Sequence, residues 1–200
     1  MAGHSEETSL IKKAQSGDSA AFGELIIRHE RFVYNVVYRM LPNKEDAEDI
    51  SQEVFLKVYK YLGKFDGKAS FSTWVYKIAV NTCIDEIRKR KGKETLSINA
   101  EADGDDGVYS REYADSGMNV EEEVLSKEGL SEIKSAIDKL SEEHKTIITL
   151  RDIEGLSYTE IAEITDCSMG TVKSRLARAR KILKGLIVKE REQNQRAFVR

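Results

Sequence analysis

Apolar residues recur every three to four positions through most of this 200-residue chain, and convincing two-residue alternation is missing. That period marks helices with one buried face, so the expected fold class is all-α, with no strands. A first helix is predicted over residues 20–41, ending at Pro42, the sole proline, whose ring cannot continue the hydrogen-bond ladder. Asn43 then caps a helix over 44–62, with Ala47, Ile50, Val54, Val58 and Tyr61 on one stripe and Gly63 closing it. After a short loop, 63–70, Ser70 or Ser72 opens a helix to residue 90, whose core side is Val75, Ile78, Ala79 and Thr82. These helices make one bundle.

From 93 to 127 the pattern dissolves into Gly, Ser, Asp and Glu, too poor in apolar residues for a core. This acidic stretch is expected to be a flexible linker, either a solvated tether or a strand that occupies a basic nucleic-acid channel. Beyond it Leu130, Ile133, Ile137 and Leu140 mark a helix, and Ser141 caps another that runs to about residue 154, before Gly155. Ser157 and Glu160 have the spacing of a capping box and open a short helix over 158–166. Residues 167–170 then make a tight turn, with Ser168 as cap, and a long helix over 171–188 follows. Helix, four-residue turn, helix is the helix-turn-helix pattern. The expected organisation is a bundle over 1–92, a linker over 93–127 and a second bundle with a basic tail over 128–200.

The formal net charge of −3 argues against a nucleic-acid binder until it is divided along the chain. Residues 21–92 carry +3, 93–130 carry −8 and 131–200 carry +3. Residues 171–200 alone hold ten Lys or Arg against Glu190 and Glu192, a basic footprint of the kind phosphate contact requires. No apolar run reaches the roughly 18 residues of a membrane span, and the first residues carry no signal-peptide stretch, so a cytoplasmic location without membrane insertion is expected. Cys83 and Cys167 lie far apart without CxxC spacing and read as reduced, half-buried residues; His4, His29 and His144 read as surface residues. No metal or cofactor is expected. The absence of a P-loop, HExxH, paired carboxylates or a nucleophile–base arrangement leaves catalysis unsupported, so the chain is not expected to be an enzyme.

On the last helix Val172, Leu176, Ala179 and Leu183 fall within about 60° and fix its buried side. Thr171, Ser174, Arg175, Arg178 and Lys181 then share an exposed arc, with Lys173, Arg180 and Lys184 along a flank. Arginine forks can read guanine edges, small hydroxyls permit close approach and lysines neutralise phosphates, so this arc suits duplex DNA. In the first bundle Trp74, Lys77, Asn81, Asp85 and Arg88 form one exposed stripe. Stacking surface, amide and cations interleaved suit single-stranded DNA, although Trp74 also fits a core aromatic and Asp85 fits a pair with Lys89 or Arg88. On the helix before it Asp49, Gln52, Glu53 and Lys60 make an acid-and-amide patch better suited to protein than to DNA.

Residues 157–163 (SYTEIAE) and 170–180 (GTVKSRLARAR) resemble the C-terminal domain of extracytoplasmic-function sigma factors, subunits of bacterial RNA polymerase. Residues 46–55 (DAEDISQEVF) and 71–79 (FSTWVYKIA), with Asn81 and the 85–90 run, are similar to sigma region 2, in the right order before region 4. The resemblance implies that Asp49, Gln52 and Glu53 face core RNA polymerase, that Trp74, Lys77, Asn81 and Arg88 bind the minus-10 strand, and that the 63–70 loop holds an extruded base. It also implies minus-35 contacts by Thr171, Lys173, Ser174, Arg175, Arg178 and Lys181, and an anti-sigma factor as a further partner. A length of 200 residues leaves no room for the extra domains of primary sigma factors. The rivals are an autonomous helix-turn-helix transcriptional regulator, a DNA-processing enzyme and a structural adaptor.

Overall fold

The computed structural model describes residues 2–41, 43–98 and 132–198, with side chains over 6–41, 43–90 and 132–192. Among the described residues every regular element is helical. The first bundle contains α1 (Ala2–Gln15), α2 (Ser19–Met40), α3 (Lys44–Tyr61) and α4 (Phe71–Ile98). The second contains α5 (residues 132–138), α6 (Glu142–Ile148), α7 (Tyr158–Ile164) and α8 (Met169–Phe198).

The sequence reading left α1 out. Leu10, Ile11 and Ala14 are buried, and the helix ends where Gly17, at φ 96°, donates to the Ala14 carbonyl and Asp18 to that of Lys13. A residue with a Cβ resists that left-handed conformation, so glycine sets the corner. Asp18 then accepts from the amides of Ala20 and Ala21 and starts α2. The buried positions of α2, including Leu25, His29, Val33, Val36 and Met40, recur at helical spacing. His29 is thereby corrected: it is 6% exposed, its ring meets Phe71 edge-on, and its Nε2 lies 3.2 Å from the Glu7 carboxylate. Burial lowers its pKa from the ordinary value, against the opposing pull of Glu7, so it is a neutral core residue that ties α1 to α2. The side chain of His4 and all of Pro42 lie outside the described residues, and α2 closes at Leu41.

Asn43 caps α3 as expected, accepting from the Asp46 amide at 2.8 Å. Ala47, Ile50, Val54 and Val58 are buried, but Tyr61 is 38% exposed, because the chain tightens into a 3-10 turn at Leu62–Lys64 and Leu62 takes the core position instead. Ser70 is the cap of α4, accepting from the Thr73 amide. Val75, Ala79, Thr82 and also Cys83 are buried, and burial pushes the Cys83 thiol up to about 12. The helix continues past residue 90 into the segment expected to begin the linker; residues 99–131, which hold the rest of that linker and Leu130 of the next expected helix, lie outside the described residues.

In the second bundle Ala136 and Leu140 are buried, whereas Ile133 is 40% exposed and Ile137 half-buried. Ser141 occupies the cap position of α6 without capping, since its hydroxyl meets His144 Nδ1 at 3.0 Å. The long helix expected from there to residue 154 gives way at Thr149–Ile153 to a π-helical turn. The two bundles do not keep separate cores. α4 packs against α7, α2 packs against the π turn, and the buried side chains form one continuous cluster.

Arg90 of α4 binds both Glu86, at 2.8 Å, and Asp46 at the start of α3. The Arg90 guanidinium holds the Asp46 carboxyl below the usual carboxylate range. A depressed carboxyl stabilises the fold above its unfolded pKa and loses that contribution as pH falls through the folded value. Asp46→Asn should therefore cost up to about 1 kcal/mol at neutral pH, solvent-screened as the pair is. Urea titrations should show the difference from wild type shrinking below about pH 4.

Candidate nucleic-acid interface

The helix-turn-helix is made by α7, a turn over residues 165–168 and α8. The capping box is present: the Ser157 amide donates to the Glu160 carboxylate at 2.8 Å, and the Glu160 amide donates to the Ser157 hydroxyl at 3.2 Å. The turn comes earlier than 167–170. Thr165 caps α7, Asp166 takes φ 50°, and Gly170 lies inside the first turn of α8. Ser168 does cap α8, accepting from the Thr171 amide at 3.1 Å.

On α8, Val172, Leu176 and Ala179 are buried and Leu183 half-buried, as its periodicity requires. Lys173, Ser174, Arg178 and Lys181 are exposed; Thr171 and Arg175 are half-buried beside them. Among the described residues Arg178, Lys181 and Lys184 have no ion-pair partner, so their charge stays open to solvent. Arg175 lies 3.6 Å from Glu143 of α6, a long contact between partly exposed groups that a stronger partner can displace. Arg180 is different: both its Nε, at 2.9 Å, and an outer nitrogen bind Asp152, so it fastens α8 to the π turn. Lys173 sits 5.7 Å above the Tyr158 ring, which Arg151 also covers at 4.7 Å.

The stripe on α4 is only partly open. Asn81, Asp85 and Arg88 are exposed. The Lys89 expected to pair with Asp85 lies 3.6 Å from Glu86 instead. Trp74 is half-buried in an aromatic cluster, 5.3 Å from Phe65 and 5.8 Å from Phe71 between ring centres. Lys77 reaches across to Asp166 of the helix-turn-helix at 2.5 Å, and Arg39 of α2 lies 3.4 Å from Glu154, so charges link the two bundles.

Asp49, Gln52 and Glu53 are exposed on α3, Glu53 bonded to Lys57 at 2.8 Å. Next to them lies a feature absent from the sequence reading, an apolar groove of about 760 Å³ between α2 and α3. Phe22, Ile26, Phe55, Leu56 and Tyr59 line it, with Glu48 and Gln52 at its edge; Leu56 is 70% and Tyr59 62% exposed. Its signal was the run of large apolar residues lying off the buried stripe of α3. Exposed apolar surface of this size, edged by polar groups, marks an interaction site.

Residues 25–93 match the family described as sigma-70 region 2, and residues 130–183 match sigma-70, region 4. The ECF RNA polymerase sigma factor SigW of Bacillus subtilis is 41% identical over 176 residues, covering 87% of this chain and 92% of the relative. This chain belongs to the extracytoplasmic-function sigma factors. The ECF RNA polymerase sigma-E factor of Escherichia coli K12 is 38% identical to it over 178 residues, 87% of this chain and 90% of the relative. Two solved structures share the fold of this sigma factor. CnrH, in complex with the cytosolic domain of CnrY, covers 90% of this chain and 96% of its own at a TM-score of 0.65 and 24% identity. The sigma factor RpoE of Bartonella quintana, in complex with the anti-sigma factor NepR, covers 83% and 96% at 0.63 and 23%.

The left-handed backbone at Asp166 generates a prediction about the turn. Aspartate tolerates that region and a β-branched residue does not. Asp166→Val should cost about 1–2 kcal/mol in chemical denaturation, whereas Asp166→Asn should stay within about 0.5 kcal/mol of wild type.

Proposed function

We propose that this sigma factor divides promoter reading between its two bundles while α2 and α3 hold core RNA polymerase. The observation that carries this reading is the division of α8: one face buried, the opposite face offering unpaired cations and small hydroxyls, within the segment matched to region 4. Arg175, Ser174 and Thr171 would read base edges of the duplex minus-35 element, while Arg178, Lys181 and Lys173 hold phosphates. Asn81, Arg88, Lys77 and the half-open ring of Trp74 would take the minus-10 strand once it separates, Lys77 exchanging Asp166 for phosphate. The work is binding, without a chemical step. Melting costs about 1.4 kcal/mol per base-pair step, and stacking of captured bases offsets part of it.

The groove between α2 and α3 is the proposed seat of the polymerase, with Asp49, Gln52 and Glu53 as its polar border. Apolar centre with polar rim is the anatomy of a specific protein contact. An anti-sigma partner, of the kind NepR is to RpoE of Bartonella quintana, is proposed as well, and the cytoplasm as the place of action. Among the described residues no helix is long and apolar enough to cross a membrane. An autonomous regulator would footprint promoters unaided; here a specific open complex is expected only after core polymerase is added.

Two substitution experiments check the assignment. Arg175→Ala should lose about 1–3 kcal/mol of discrimination between promoters, whereas Lys184→Ala should weaken binding evenly across sequences, as filter binding with matched and mismatched minus-35 duplexes would report. Leu56→Asp, on a side chain already facing water, should leave the bundle folded and lower affinity for core polymerase about tenfold or more in a fluorescence titration. Unchanged affinity would remove the groove from the interface.

A further inference from the structure

The region 2 match begins at residue 25, so it leaves α1 without a role. Yet α1 forms one side of a second cavity, of about 470 Å³, whose other side is the loop between the 3-10 turn and α4. Ile11, Lys12 and Gln15 face Phe65, Lys68 and Phe71 across it. The volume lies in the range of small-ligand sites, about 300–1,000 Å³. Its composition is mixed: two aromatic rings, Phe65 and Phe71, set edge to face at 5.4 Å, with Lys12 and Glu7 on the α1 side and Lys68 and Asp66 on the loop side.

The loop is held at each end and across its middle. Ser70 caps α4, Asp66 accepts from the Lys68 amide at 3.1 Å, and Gly67 turns the chain at φ 74°. The remaining anchor comes from α1. Gln15 Nε2 donates to the carbonyls of Leu62 and Phe65, both at 3.0 Å. Two carbonyls can only accept, so the amide must present its NH2 group, and its two hydrogens serve one carbonyl each. A single side chain thus fixes where the loop begins relative to α1. The same Phe65 and Phe71 rings touch Trp74 on the candidate minus-10 stripe, so the cavity and that stripe share two aromatic side chains.

We propose that α1 is the second wall of the pocket that receives one unstacked base of the minus-10 strand, and that Gln15 is a positioning residue that sets the pocket's width. The inference rests on the reading that the first bundle captures single-stranded promoter DNA. The ligand class is a nucleobase with its phosphate: the half-buried Phe65 ring supplies the stacking floor, backed by the buried Phe71 ring, and Lys12 supplies a cation on the α1 side. Lys68 is already engaged by Asp66 at 2.6 Å, so Lys12 is the phosphate ligand in this scheme.

The test uses holoenzyme, core polymerase plus the full chain, and fork DNA from a promoter that it opens, with the minus-10 non-template strand unpaired. Dissociation constants are measured for the intact strand and for strands with one abasic nucleotide at each position in turn. Wild type should show one position where base removal weakens binding roughly tenfold, within the range for a stacked base. Gln15→Glu keeps the size of the side chain but replaces its donor with an acceptor, and should reduce that penalty to about twofold or less while penalties elsewhere and core affinity stay unchanged. Lys12→Ala should lower affinity for every strand alike, with a shallower salt dependence. A full position-specific penalty in Gln15→Glu overturns the role of α1. No position-specific penalty in wild type overturns the capture reading beneath it and the pocket with it.

Discussion

Every described helix of this protein has one face that is buried, and its candidate functional chemistry is confined to what burial leaves over. On α8 the stripe of Val172, Leu176 and Ala179 uses up one side, which forces Ser174, Arg178 and Lys181 outward. On α4 the same demand buries Val75, Ala79 and Cys83 and turns Asn81 and Arg88 to solvent. The interface residues need no separate placement, because the core places them. Losing a buried side chain such as Leu176 would therefore disturb the proposed DNA contact indirectly, by letting the whole arc rotate.

The contact between the bundles follows a different logic. Its apolar part, where α4 meets α7, joins the two halves into one cluster, while its charged part consists of partly exposed pairs, Lys77 with Asp166 and Arg39 with Glu154. Exposed pairs are worth about 0–1 kcal/mol each, so they bias the arrangement without locking it. Tyr76, stacked on Phe32 at 3.6 Å, marks the tighter part of this region: burial and the nearby Glu154, Glu7 and Glu160 carboxylates push its hydroxyl up to about 12. Carboxylates of both bundles bear on that single ring.

Local signals were legible in the sequence at most places where one side chain decides a backbone event, Ser141 being the exception. Asn43, Ser70, the Ser157–Glu160 box and Ser168 all cap as their spacing implies, and the buried stripes of α3, α4 and α8 follow from period alone. Long-range events were not. α1 is polar over much of its surface, and Leu10, Ile11 and Ala14 become a core face only because α2 lies beside them. His29 reads as a surface residue until Glu7 and Phe71 arrive from two other helices. The turn of the helix-turn-helix was set two residues late because Gly170 drew it, whereas Asp166 fills the left-handed position. The acid patch on α3 was visible, but the groove beside it was not, since half of that groove belongs to α2.

That groove also shows why α3 carries two kinds of surface. Leaving Leu56 and Tyr59 in water forgoes stabilisation of about 25 cal/mol per Å² of apolar area. A bundle that buried them would be more stable and would have nothing apolar to offer a partner. The cost is tolerable because Val54 and Val58, on the opposite side of the same helix, are almost wholly buried and hold α3 in place without them. The lining carries charges of both signs, Glu30 and Glu48 with Arg31, so a partner has to match their arrangement as well as the apolar centre. As the proposed docking surface, the groove therefore has a polar border that restricts what its apolar centre accepts.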